Sequence, residues 1–212
     1  MKHAWLRIAF LALALAAAAT AATAQIQVGR EFNRLDPPRP VTTGNRIELI
    51  EFFYYGCPVC YETQPLLSRW LATAPEYVEI RRVPAMSSEN WEPLAKLFYA
   101  LEALEQIGRL HWPIYDSIHF DEVTLNDEKV MADWVSRNGV ERQKFIDAYH
   151  SPAVRAKVNA AREMIKAYDV HGVPTFVIDG KYLTSARLAG GTGQVIQVLD
   201  ELVKRARQER PN

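Results

Sequence analysis

Two cysteines occur in the 212-residue chain, Cys57 and Cys60, and only Pro58 and Val59 separate them. Thiols this close can shut into a disulfide and reopen, which is two-electron redox chemistry. The run Ile47-Glu48-Leu49-Ile50-Glu51-Phe52-Phe53-Tyr54 ahead of them is nearly all apolar, as expected of a central strand covered on both faces. The run after them, Tyr61 to about Ala72, has helical character. A dithiol at a strand-to-helix junction sets its first sulfur at a helix N-terminus, where unpaired N–H groups and the macrodipole favour negative charge. The thiolate is the reactive form of a cysteine, so this placement lowers the pKa of Cys57 and activates it. Cys60 falls one turn deeper on the same face, within bridging reach. Pro58 has no backbone donor to lose at the first helical position.

Two other uses of such a pair are weaker. A structural disulfide across so short a loop would restrain little unfolded-chain entropy. A zinc site would need about two more Cys or His ligands. No third cysteine exists, and His3, His111, His119, His150 and His171 are scattered without a ligand-like pair. The residues point to redox exchange that needs neither metal nor cofactor.

The elements that must position the dithiol can be read around it. Pro65 lies inside the following helix, where a kink is expected. Tyr77 to Val83 alternates and ends at Pro84, giving strand, helix, strand. Ile26-Gln27-Val28 reads as a short edge strand, and Asp36-Pro37-Pro38-Arg39-Pro40 as an extended loop. From Ser87 to about Asp169 the pattern is helical. Trp91, Leu94, Leu97, Phe98, Leu101 and Leu104 form one stripe, with Ser87 or Ser88 as cap and Gly108 at the end. A short helix over His111 to Ser117 follows, then one capped by Asn126 with Gly139 past its end, then one marked by Phe145, Ile146 and Tyr149. Ser151-Pro152 opens a long helix. Strand character returns at Thr175 to Asp179, turns at Asp179-Gly180, and runs back through Lys181-Tyr182-Leu183. Thr192 caps a last amphipathic helix.

The first 24 residues read as a secretion signal. Met1 to Arg7 is basic, Ile8 to about Ala19 is apolar but short for a membrane span, and Ala22-Thr23-Ala24 fits a cleavage site, so the mature chain begins at Gln25. The destination is an oxidising compartment, most simply a bacterial periplasm. Lys and Arg total 25, as do Asp and Glu, and this balance argues against a nucleic-acid binder.

Glu51-Phe52-Phe53-Tyr54-Tyr55-Gly56-Cys57-Pro58-Val59-Cys60-Tyr61 and Gly172-Val173-Pro174-Thr175-Phe176-Val177-Ile178-Asp179-Gly180-Lys181-Tyr182 together resemble the DsbA family of thiol:disulfide interchange proteins. The resemblance spans the mature chain, strongly at those segments and architecturally between them. It implies an α/β thioredoxin fold with an inserted all-helical subdomain, divided as residues 25–86, 87–160 and 161–212. It implies a redox-active Cys57-Cys60 disulfide, donated to unfolded or partly folded exported polypeptides and restored by a DsbB-like quinone-linked membrane oxidase. Pro174, preceded by Val173, would be a cis proline facing the sulfurs. With no dimerisation module ahead of the catalytic domain, a monomer is expected.

Several positions carry open readings. Glu51 is either a proton exchanger for Cys60 or the ion-pair partner of Arg81 or Arg82. Tyr54, Tyr55 and Val173 are candidates for the border of an apolar peptide groove, with plain packing favoured for Tyr54. Val59 stands where many family members carry histidine, which can stabilise the nucleophile's thiolate as valine cannot, so a weaker oxidant is expected. His171 reads as a solvated loop residue. A reductase or isomerase of the same fold, a metal-binding thioredoxin-like module, and a holding chaperone remain as alternatives.

Overall fold

The apolar run before the dithiol forms a strand buried along its whole length. In the computed structural model, which describes residues 26–210, five strands make one sheet. They are β1 (Asn33–Arg34), β2 (Ile47–Phe53), β3 (Val78–Pro84), β4 (Thr175–Ile178) and β5 (Tyr182–Ser185), in the order β1-β5-β4-β2-β3. β2 pairs parallel to β3 and antiparallel to β4, while β5 runs antiparallel to both β4 and β1. The proposed leader, residues 1–24, lies outside the described residues.

The two-residue period of β2 divides its side chains between two cores. Ile47 and Leu49 pack with Phe176, Ile178, Leu67 and Leu199. That face is covered by α1 (Pro58–Leu71) and, after the four-residue α7 (Ala186–Ala189), by α8 (Thr192–Glu209). Ile50 and Phe52 join Val177 and the interior of the helical block. This block comprises a 3₁₀ turn (Glu89–Trp91), α2 (Glu92–Ala103), α3 (Ile107–His119), α4 (Glu128–Arg137), α5 (Arg142–Tyr149) and α6 (Pro152–Ala167). A thioredoxin-type sheet with helices inserted between β3 and β4 is the architecture the sequence implies.

Local chemistry moves several element ends. Ile26 to Val28 is not a strand: Val28 makes only an isolated bridge to Phe32, and the edge strand is β1. α2 stops at Ala103 instead of Gly108, which sits inside α3, because Glu105 takes a positive φ of 57° and reverses the chain. The short helix expected over His111 to Ser117 is the middle of the longer α3. Ser88 precedes the 3₁₀ turn without a side-chain cap. α4 is capped by Asp127, whose carboxylate accepts from Val130 N–H at 2.9 Å, and not by Asn126. Gly191 occupies the cap position of α8, with Thr192 as its first residue. Ser151 caps α6 as expected, accepting from Val154 N–H at 3.1 Å. The β4–β5 turn centres on Asp179 and Gly180, both at positive φ, and Lys181 N–H closes it onto Ile178 at 2.9 Å, so Lys181 belongs to the turn. A boundary after residue 160 would cut α6, which continues to Ala167; the chain breaks direction at Asp169, where φ is 52°.

The dithiol helix is anchored through Leu67, fully buried against the α8 side of the sheet. Leu67→Ala is expected to destabilise the reduced protein by about 2–5 kcal/mol in urea unfolding, since the cavity cannot close fully. A loss below about 1 kcal/mol would mean that α1 is held by other contacts.

Candidate active site

Cys57 is the N-cap of α1, with extended backbone (φ −90°, ψ 117°) and Pro58 at the first helical position. The extended cap carries the chain out of β2 and leaves the sulfur over the open end of the helix. Its Sγ accepts from the Cys60 N–H at 3.4 Å. On its other side the Sγ lies 3.5 Å from the Val173 carbonyl, 116 residues away in sequence. The Val173-Pro174 peptide is cis. The two segments that carry the family resemblance thus meet at one sulfur. Cys57 is half-buried and Cys60 is fully buried.

This asymmetry drives the two thiols apart. A hydrogen bond from the Cys60 thiol, followed by the Cys60 and Val59 backbone N–H groups, brings Cys57 down to about 7 despite partial burial and the charge of Glu62. Burial pushes Cys60 well above the ordinary thiol range, and the Cys57 sulfur and, more weakly, Glu51 add to that. The Cys57–Cys60 pair is therefore one easily ionised, accessible sulfur and one protonated, hidden sulfur.

Glu51 is fully buried on the α1 side of β2. Both partners foreseen for it are resolved by strand register. Arg82, directly across on β3, donates its Nε–H to Glu51 Oε2 at 3.1 Å. Arg81 points to the other face, 3.9 Å from Glu48. Gln64 of α1 donates a second hydrogen bond to Glu51, a partner that nothing in the local sequence pattern singled out. Burial raises the Glu51 pKa, opposed by Arg82 and Gln64.

A groove of about 880 Å³ opens beside the sulfurs, bordered by Val59, Glu62, Tyr168, His171, Val173 and Pro174. Val173 stands on this border as expected. Tyr55 does not: it is 1% exposed and lies in the core. Tyr54 packs instead, stacked on Trp91 with centroids 3.8 Å apart. Val59 is exposed on the rim. His171 is exposed, 3.1 Å from Asp169, and also borders the groove.

Two histidines that looked scattered reach the site from α3. His111 Nδ1 is 2.8 Å from the Tyr55 hydroxyl, and His119 Nε2 is 2.8 Å from the Tyr55 carbonyl. The available signal was their spacing: His111, Tyr115 and His119 recur every four residues, one face of a helix. Among the described residues, no three His, Cys, Asp or Glu side chains group as metal ligands.

A thioredoxin-type sheet that presents Cys-Pro-Val-Cys at a helix start against a cis-prolyl loop defines a thiol:disulfide oxidoreductase. A family profile described as the DSBA-like thioredoxin domain matches residues 76–197. The thiol:disulfide interchange protein DsbA of Azotobacter vinelandii is 36% identical over 184 residues, 87% of this chain and 86% of that protein. Its counterpart from Burkholderia cepacia is 36% identical over 183 residues, 86% of each. The crystal structure of Pseudomonas aeruginosa DsbA superposes with a TM-score of 0.82 at 32% identity, covering 86% of this chain and 95% of that one. The chain belongs to the DsbA family of thiol:disulfide interchange proteins.

Thiolate absorbance is expected to titrate with a midpoint near 7 for Cys57, with Cys60 silent until the protein unfolds. A single transition in the ordinary thiol range, about 8.5, would contradict the assignment of the shift. Because folding lowers the Cys57 pKa, thiolate stabilisation adds to stability above the unfolded value and is lost as pH falls through about 7. The stability of the reduced wild type relative to Cys57→Ser should accordingly rise from pH 7 to about 9. A flat difference across that window would contradict it.

Proposed function

We propose that the protein is a disulfide oxidase that introduces bonds into polypeptides exported to the periplasm, delivered there by a leader cleaved after Ala24. What supports this reading is membership of the DsbA family together with the geometry of the pair, Cys57 half-exposed at a helix start and Cys60 fully buried behind it. In the oxidised enzyme a substrate thiolate attacks Cys57 Sγ, and the Cys57–Cys60 bond breaks with its electron pair passing to Cys60, which takes up a proton. A second substrate thiolate then attacks the substrate sulfur of the mixed disulfide, and Cys57 leaves as the stabilised thiolate. The substrate loses two electrons and two protons; the enzyme dithiol holds the electrons. Stabilising the reduced form in this way makes the disulfide an oxidant.

Placement supports further roles for neighbouring residues. Val173 and Pro174 present a backbone edge and an apolar wall to an extended substrate segment, and the groove beyond them suits unfolded chain over a folded surface. Glu51 supplies or accepts the Cys60 proton, burial raising its pKa against the opposing pull of Arg82 and Gln64. Reoxidation falls to a DsbB-like quinone-linked membrane oxidase, and the protein acts as a monomer.

Oxidised protein mixed with a reduced two-cysteine peptide should become reduced as the peptide gains its bridge, and Cys57→Ser should abolish this. Net transfer in the reverse direction at equal concentrations would identify a reductase instead. Val59→His should lower the Cys57 pKa further and make the protein more oxidising against glutathione; no change in either removes Val59 from the set of tuning residues. Glu51→Gln should flatten the pH dependence of Cys60 reactivity in the mixed disulfide, and an unaltered profile would leave Glu51 with only its ion pair.

A further inference from the structure

The Tyr54-Tyr55-Gly56 turn, which joins the buried strand to the Cys57 cap, is gripped by a single helix of the insertion. α3 presents His111, Tyr115 and His119 on one face. His111 Nδ1 meets the Tyr55 hydroxyl at 2.8 Å, and the Tyr115 ring packs edge-on against Tyr55 at 4.8 Å. His119 Nε2 meets the Tyr55 carbonyl at 2.8 Å. A carbonyl can only accept, so this nitrogen carries the hydrogen. The same helix also holds the residue after Cys60. Tyr61 is sandwiched between Trp112 (5.1 Å, 8°) and His119 (4.7 Å, 16°), and its hydroxyl donates to Asp116 at 3.1 Å. Both flanks of the Cys-Pro-Val-Cys stretch are thereby tied to α3, and His119 touches both.

We infer that α3 sets the position of the Cys57 sulfur, with His119 as a positioning residue for thiol:disulfide exchange acting through the Tyr55 carbonyl and the Tyr61 ring. The inference rests on Cys57 being the exchanging sulfur. The Tyr55-Gly56 peptide is the last free joint between β2 and the cap: Cys57 N–H already bonds the Tyr54 carbonyl at 3.1 Å, and a Cβ on Gly56 would strike the Tyr54 ring at 2.6 Å. Fixing the Tyr55 carbonyl therefore fixes the direction in which the chain enters α1. The sulfur's contacts, 3.4 Å to Cys60 N and 3.5 Å to the Val173 carbonyl, lie at the ordinary distance for sulfur, and a shift of Cys57 away from them weakens both.

The test compares His119→Ala, His119→Asn and His119→Gln in the mature, reduced protein. Asparagine keeps an amide but is too short to reach the carbonyl, whereas glutamine can place its N–H there. Each variant is followed by thiolate titration, by Cys57 alkylation below pH 7 and by equilibrium with glutathione, with thermal unfolding alongside. His119→Ala is expected to alkylate about fivefold more slowly and to hold its disulfide about fivefold more firmly against glutathione, the scale of one lost hydrogen bond. His119→Gln is expected to recover to within about twofold. If the alanine variant does not fold, the asparagine variant must show the same loss. Variants that titrate and equilibrate like the wild type, or a glutamine variant as impaired as alanine, would overturn the inference while leaving the Cys57 reading intact. A wild type whose Cys57 titrates like a free thiol would remove that reading and the inference with it.

Discussion

A thiolate at the open end of a helix is favoured only while the sulfur stays within reach of N–H groups that have no other partner. Cys57 meets this condition because three separate stretches of chain fix it. β2 delivers the backbone, Pro58 and the extended cap turn it, and Val173-Pro174 closes the space on the far side. The central sheet serves the same end. β4 carries the cis-prolyl loop at its start and pairs with β2 antiparallel, so the two ends that face each other bring Cys57 and Val173 together.

Burial then makes the two sulfurs unequal. Cys60 lies one turn inside α1, on the face that packs on the sheet, and the same two-residue period that buries Leu49 points Glu51 to that side. An ionised carboxylate there would be costly alone, and Arg82 and Gln64 offset part of the penalty. What remains is a site whose inner half resists charge and whose outer half accepts it. Cys57 can therefore carry negative charge when it is released, whereas Cys60 takes up a proton with its electron pair, and this inequality belongs to the fold as much as to the cysteines.

The sequence exposed those parts of the site that depend on chain neighbours. Cys57 at a helix start, Pro58 behind it and the buried run of β2 all follow from local pattern, and the family resemblance added the distant Pro174. Side-chain direction was less legible. Arg81 and Arg82 were equal candidates for Glu51 until strand register separated them. Tyr55 passed for a groove residue because a tyrosine beside an active-site turn suits either surface or core, and only the arrival of α3 buries it. Helix ends were displaced where a single residue at positive φ, such as Glu105, reversed the chain without a glycine to announce it. The α3 stripe is hidden in the sequence because His111 and His119, eight residues apart, look like isolated histidines until their hydrogen bonds to Tyr55 are seen.

The groups that hold the Cys57 pKa down are neutral. They are the Cys60 thiol and the N–H groups of Cys60 and Val59, while the one charged contributor, Glu62, acts in the opposite sense. With Val59 in place of a cation, the thiolate is stabilised by dipoles at contact distance. Such contacts fall off steeply with distance and are little affected by dissolved salt, unlike attraction to an exposed charge. Reactivity in this protein therefore depends on how closely those groups are held to the sulfur. A rigid seat for the active-site turn is worth more here than it would be beside a histidine, whose charge reaches further. The helical insertion, by clasping Tyr55 and Tyr61 from one side, provides that seat.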